Sequence, residues 1–215
     1  MEHAPSHAKG ACRRMACLAR RPTGTIGENA MKIAVLYHSG YGHTAKLAQF
    51  VAQGAEAVDG AKAELFALGD EALDWDALAA ADAIIFGSPT YNGSISARFK
   101  AMMEESTRNA WIPKRWVNKI AAGFTNSGAM HGDKLNSLTT MALFAAQQGM
   151  IWVGLDVFPG KTDEELNRIG GWLGAMAQSD DAPADITPIQ SDLDTAAYLG
   201  TRVAQITAQF LRGQQ

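Results

Sequence analysis

Beyond residue 30 this chain contains no cysteine. Its two cysteines, Cys12 and Cys17, both lie in the opening stretch, and no second Cys or His pair stands near them to complete a metal set. A disulfide framework and thiol chemistry are therefore excluded for the bulk of the protein, no metal site is expected, and the default location is cytoplasmic. No apolar run approaches the roughly 18–20 residues of a membrane span. No basic stripe with interleaved aromatics occurs after residue 30, which argues against nucleic acid as a partner. Charge of one sign is scarce as well: the net charge is −3. Residues 1–30 carry Lys9, Arg13, Arg14, Arg20 and Arg21 against Glu2 and Glu28, and the remainder is modestly acidic. No hydrophobic periodicity precedes Met31. Residues 1–30 are read as a disordered extension or a start assigned too early; an Arg-rich targeting peptide is the alternative.

What the chain does have is core-forming material: 215 residues, 47% of them hydrophobic, enough for one α/β domain over residues 31–215. It is organised around Lys32 to Val58. Ile33 to Leu36 is a short apolar run that suits a strand buried on both faces. Leu47, Phe50, Val51, Ala55 and Val58 then recur on one helical face. Between them lies Ser39-Gly40-Tyr41-Gly42-His43-Thr44. A helix start with free N–H groups and a positive dipole end is an anion site. The loop lacks the Gly-Lys-Ser/Thr ending of a nucleoside triphosphate site. Ala45 also stands where a dinucleotide fingerprint needs its third glycine. A terminal monophosphate ester fits, held by backbone N–H groups and the Ser39 and Thr44 hydroxyls. The competing reading is an ordinary turn with Thr44 as helix cap.

Further strands are expected at Ala61–Leu68, Ala83–Phe86, Ile120–Phe124 and Ile151–Leu155. Helices are expected at Asp74–Ala80, along the face Ile95, Phe99, Met102 and Met103, along Leu135, Leu138, Ala142 and Ala145, and from Asp192 to Leu211. Strands apolar on both faces, alternating with helices, imply a parallel sheet covered on both sides. The connection from Phe158 to Ile189 is long for this class. Part of it, around Leu173 to Ala177, is a candidate second half of a split fifth strand.

Three loops at strand carboxyl ends carry Gly with Ser, Thr or Asn, where open α/β sheets bind ligands. The first offers a phosphate pocket. The second and third offer backbone N–H groups and flat side chains, which suit a planar uncharged ring. Flavin mononucleotide has both parts. The motifs S-G-Y-G-H-T, G-S-P-T-Y-N-G and T-N-S-G, in that order, resemble the FMN loops of flavodoxin-like proteins, and most closely the WrbA-type NAD(P)H:quinone oxidoreductases. The resemblance implies a doubly wound five-stranded parallel sheet in order 2-1-3-4-5. It implies non-covalent FMN, NAD(P)H as electron donor, a quinone or similar acceptor, and a homo-dimer or homo-tetramer. By the same resemblance, Ser39 through Thr44 (Ser39, Gly40, Tyr41, Gly42, His43, Thr44) match the phosphate loop, with Tyr41 also near the nicotinamide. Pro89, Thr90, Tyr91, Asn92 and Gly93 match the loop beside the pyrimidine. Thr125, Asn126, Ser127, Gly128, Ala129, Met130 and His131 match the loop along the other ring edge. Trp111 matches a substrate-side tryptophan, or else is a half-buried helix-end aromatic.

The chain departs from that pattern at Gln147-Gln148, where the family has a His pair. Glutamine can hydrogen-bond a quinone oxygen but cannot donate a proton as histidine can. His131 and Gln147 are the candidate catalytic residues; His38 reads as structural and His43 as a loop packing residue. The rival reading is a flavodoxin-type one-electron carrier that docks on redox proteins. Such carriers rely on a strongly charged face, and the third loop shows no obvious acidic fringe. Azo or nitroaromatic reduction at the same site, and a scaffold without flavin, complete the alternatives.

Overall fold

A computed structural model describes residues 30–214. The expectations for the first 29 residues, Cys12 and Cys17 among them, lie outside the described residues. The central layer is a parallel sheet. Its members are β1 (Met31–Tyr37), β2 (Ala61–Ala67), β3 (Ala83–Tyr91) and β5 (Ile120–Ser127), in spatial order β2-β1-β3-β5. β4 (Ser94–Ile95) folds back on the end of β3 as an antiparallel pair. The fifth position is shared. β6 (Ile151–Trp152) pairs with the start of β5, and β7 (Ala175–Gln178) pairs with its end. This is the expected order 2-1-3-4-5, with its last strand cut in two.

Alternation along β1 builds both cores. Ile33, Val35 and Tyr37 face α1 (His43–Glu56) and α5 (Gln190–Arg212). Ala34 and Leu36 face α2 (Trp75–Ala80), α3 (Ala97–Ser106) and α4 (Lys134–Gln147). On that second side Phe86, Phe144 and Trp116 meet at ring-centroid distances of 5.5–6.2 Å. All three are buried, and each such ring contributes roughly 1.5–3 kcal/mol. On the first side α1 and α5 touch backbone to backbone. A Cβ on Gly54 would lie 1.9 Å from the Ala197 carbonyl, and one on Gly200 would lie 1.9 Å from that of Val51.

Side-chain caps start α2 and α3. The Asp74 carboxylate accepts from the N–H groups of Asp76 and Ala77, and the Ser96 hydroxyl accepts from Phe99. The expected face of α4 holds at Leu138 and Ala145 but fails at its start. Leu135 is 57% exposed, whereas Lys134 is fully buried beside Ser137, Leu138, Met141 and Phe144. Strand ends also differ. β3 and β5 run on through residues expected to be loop, because Ser88 pairs with Thr125 and Pro89 with Asn126. The tight turn falls instead on Asn92 and Gly93, both at positive φ.

The expected strand Ile151–Leu155 ends after Trp152. At Leu155 the N–H group bonds the Trp172 carbonyl, and the chain leaves the sheet before returning as β7. One buried ion pair fixes that excursion. Arg168 Nε and Nη2 donate to the two Asp192 oxygens at 2.8 and 2.9 Å, and Asp192 also accepts from the Gln178 N–H at 2.9 Å. Both side chains are buried, so the pair locks the excursion, β7 and the start of α5 together. No helix of the described residues is long and apolar enough to cross a membrane.

Candidate functional site

The carboxyl ends of β1, β3, β5 and β7 open into one cleft of about 530 Å³, within the usual range for a small-molecule site. Its phosphate-loop end is built by Ser39. The Ser39 hydroxyl accepts from the N–H groups of Gly42 and Ala45, at 3.1 and 3.2 Å, and its own proton has no acceptor among the described residues. Gly42, at φ 94°, turns the chain into α1. Among the described residues, the N–H groups of Tyr41, His43 and Thr44 have no acceptor. Unpaired amides at a helix start form an anion-binding concavity. Thr44 does not cap the helix. Its hydroxyl donates to Asn126 Oδ1 at 2.6 Å, so its proton is committed to a neighbouring strand.

That bond makes Asn126 the hub of the site. Its Nδ2 donates to the Ser179 hydroxyl at 3.3 Å, joining the loops after β1, β5 and β7. Thr90 is locked similarly, with its hydroxyl 2.8 Å from those of Thr125 and Ser137. Tyr41 and Tyr91 stand edge to face at the cleft, with centroids 6.2 Å apart. The Tyr91 hydroxyl lies over Gly40, where a Cβ would approach it to 2.5 Å. Burial raises the Tyr91 pKa above its ordinary value, Tyr41 adds to the rise, and the Gly40 amide opposes it.

Of the residues expected at the flavin, the cleft is lined by Tyr41, His43, Thr44, Pro89, Thr90, Tyr91, Asn126, Ser127 and Gly128. Ser39, Gly40, Gly42 and Thr125 support it from behind, and Asn92 and Gly93 form the turn beyond it. Ala129 lies on the same loop as Met130 and His131, which line a neighbouring apolar groove with Leu135 and Trp172. His131 is largely exposed, and its Nδ1 accepts from the Asp133 N–H at 3.2 Å. Trp111 and Gln147 are not brought to the cleft. They share a separate groove at the far ends of α3 and α4. Since α3 and its π-helical continuation Thr107–Trp111 lead away from the loops, Trp111 stands roughly 20 Å along the helical run. Its ring is 52% exposed.

Sequence reasoning missed one wall and one support. Ser179 to Pro183, following β7, close the cleft opposite Tyr91. The His43 ring donates from Nε2 to the Ala182 carbonyl at 2.8 Å, and Lys46 Nζ donates to that of Asp185 at 3.2 Å. This wall brings Asp180 and Asp181, both exposed, to the cleft, so an acidic fringe is present although the loop after β5 does not supply it. A signal was available: only two residues separate Asp-Asp-Ala-Pro from the segment expected to rejoin the sheet, so it falls at a strand's carboxyl end. The missed support is Lys134. Its Nζ donates to the Ser127 hydroxyl at 2.8 Å and to the carbonyls of Ala129 and Met130 at 2.9 and 2.7 Å. Burial lowers its pKa to about 8, with Asp192 opposing the fall and Arg168 adding to it.

The residues fit FMN by their donor set: amides and a hydroxyl for a phosphate at one end, with two tyrosines and peptide groups for a planar ring at the other. Comparison with known proteins points the same way. The family model described as NADPH-dependent FMN reductase matches residues 31–163. Flavodoxin FldP of Pseudomonas aeruginosa is 40% identical over 185 residues, covering 83% of this chain and 97% of that protein. An NAD(P)H dehydrogenase (quinone) of Geobacter sulfurreducens is 32% identical over 202 residues, covering 83% and 98%. The crystal structure of a flavodoxin, WrbA-like protein from Agrobacterium tumefaciens superposes with a TM-score of 0.68 at 40% identity, covering 84% of this chain and 99% of that one.

Proposed function

Since the chain belongs to the NADPH-dependent FMN reductase family, we propose that it is an FMN-dependent oxidoreductase passing two electrons from NAD(P)H to quinones or similar acceptors. The observation that carries the proposal is the convergence of the β1, β3 and β5 loops on one cleft that begins at an unpaired amide cluster. When bound, FMN supplies the redox chemistry, accepting electrons from the nicotinamide and passing them on.

The protein's part is position and electrostatics. The amides of Tyr41, His43 and Thr44, with the Ser39 hydroxyl, hold the phosphate. Thr90 and Tyr91 border the pyrimidine side, and Asn126, Ser127 and Gly128 border the other edge. Any peptide N–H group left free beside the ring would favour the form that carries more negative charge. Tyr41, 79% exposed, screens the cleft and stacks on the incoming nicotinamide. Of the two catalytic candidates, His131 alone can donate a proton, and it would do so from Nε2, since its Nδ1 accepts from the Asp133 N–H. Trp111 and Gln147 serve an acceptor only when a second copy carries them across, which is consistent with the exposed Phe158, Trp172 and Leu135 of a homo-oligomer. A cytoplasmic location suits a domain without cysteine.

The carrier reading keeps two supports: the acidic Asp180–Asp181 rim and the flavodoxin name of the relative from P. aeruginosa. One experiment separates them. FMN-loaded protein is mixed anaerobically with NADH or NADPH, and benzoquinone follows. Loss of flavin colour with either nucleotide and its return with quinone support the oxidoreductase. An unchanged spectrum with both nucleotides rejects it.

A further inference from the structure

We propose that Lys134 is a positioning residue that pins the loop after β5 and, through its buried ammonium, favours the reduced, anionic form of the bound ring over the oxidised form. The inference rests on the FMN reading above.

The side chain is in an unusual place for a lysine. It is fully buried at the first turn of α4, where the positive end of a helix dipole disfavours a cation. Buried lysines are rare unless paired. Among the described residues, no carboxylate lies within ion-pairing distance of its Nζ. The buried charges nearest in effect are Asp192 of α5 and Arg168 of the excursion. Those two are bonded to each other through both carboxylate oxygens, and their charges offset. The ammonium therefore remains as an unneutralised positive charge.

Its three acceptors say what that charge is for. The Ser127 hydroxyl and the Ala129 and Met130 carbonyls all belong to one short loop, and Ser127 itself lines the cleft. Ser127 in turn donates to the Ala129 carbonyl at 2.8 Å, closing a small network. An apolar side chain could have filled the same volume without desolvating a charge. What the lysine adds is a rigid ring-edge loop, and a cation in low dielectric one hydroxyl away from the ligand. Such a field acts more strongly on the ligand form that carries more negative charge.

The test compares wild type with Lys134→Met and Lys134→Gln, all full-length. Oxidised FMN affinity is read by fluorescence quenching, and the midpoint potential of the bound cofactor by equilibration with a reference dye. Thermodynamic linkage then gives the affinity for reduced FMN. The expected result is a loss for reduced FMN about tenfold greater than for oxidised FMN, a fall of about 30 mV for a two-electron couple. Amide exchange at residues 129–132 in the FMN-free protein should quicken in Lys134→Met. A purely structural lysine would weaken both redox forms equally, and that outcome overturns the proposal. Lys134→Gln keeps a donor in the network and serves if the methionine variant does not fold. Failure of wild type to bind FMN would defeat the functional reading itself. Binding by all three proteins at one potential would defeat only the role of Lys134.

Discussion

Replacing Lys134 with methionine has a pH signature in the FMN-free protein that can be worked out beforehand. Burial lowers the Lys134 pKa from 10.5 to about 8, a fall worth roughly 3 kcal/mol at about 1.4 kcal/mol per unit. The sign follows from proton counting. Below about pH 8 the folded and unfolded chains both hold the proton, and the desolvation penalty is felt in full. Between about pH 8 and 10.5 the folded chain releases it first, the unfolded chain binds more protons, and stability rises with pH. Wild type should therefore gain on Lys134→Met by about 2–3 kcal/mol between about pH 7 and pH 10. The raised tyrosine pKa values of Tyr37, Tyr91 and Tyr198 work against the fold near the top of that range, but they are common to both proteins and cancel in the difference. Urea unfolding at several pH values measures it. A wild-type-minus-variant stability that stays flat, or that falls as pH rises, would refute the claim that this ammonium is desolvated.

Gly54→Ala and Gly200→Ala should each destabilise the fold by about 1–3 kcal/mol, because the α1–α5 crossing leaves no room for a methyl group; thermal melts check this. Asp192→Ala takes both Asp192 bonds from the buried Arg168 guanidinium, leaving the 3.3 Å contact to the exposed Asp163, and should cost about 3–5 kcal/mol, read in urea unfolding. Asn126→Ala removes the bonds to Thr44 and Ser179, a loss of about 1–3 kcal/mol. It should weaken FMN binding at least about tenfold; an unchanged dissociation constant would remove Asn126 from its place as hub.

The parts legible in the sequence were those governed by local pattern. Leu47, Val51 and Ala55 repeat at helical spacing and are buried in α1, and the apolar runs at Ile33, Ala83 and Ile120 became the central strands. The parts that were not legible depend on partners far along the chain. Residues 87–91 and 125–127 look like loop on composition, yet remain strand: Gly87, Ser88 and Pro89 pair with Phe124, Thr125 and Asn126, Thr90 and Tyr91 pair with β4, and Ser127 pairs with β7. In α4 Leu138 and Ala145 are buried as their spacing implies, but Leu135 points out and Lys134 in, the reverse of what hydropathy suggests. The Ser127 hydroxyl and the carbonyls of Ala129 and Met130, folded back over the helix start, make an inward lysine tolerable. The wall at Ser179–Pro183 has no periodicity, and its contact with His43 spans 139 positions.

The charges around the cleft divide by depth, and depth decides what each can do. Asp180 and Asp181 are exposed, so water and salt screen them beyond about 10 Å. They act on what approaches: they slow an anionic acceptor, steer a cationic partner, and lose that influence as ionic strength rises. Lys134 is fully buried, so salt barely reaches it. It acts on what is already bound. A reductase for small neutral quinones needs the second influence and is indifferent to the first, whereas a carrier docking on proteins depends on the first. Salt dependence of electron delivery, set against a salt-independent bound-FMN potential, therefore separates a rim that selects partners from a floor that sets the driving force. If the potential moved with salt as steeply as the rate, the buried cation could not be its source.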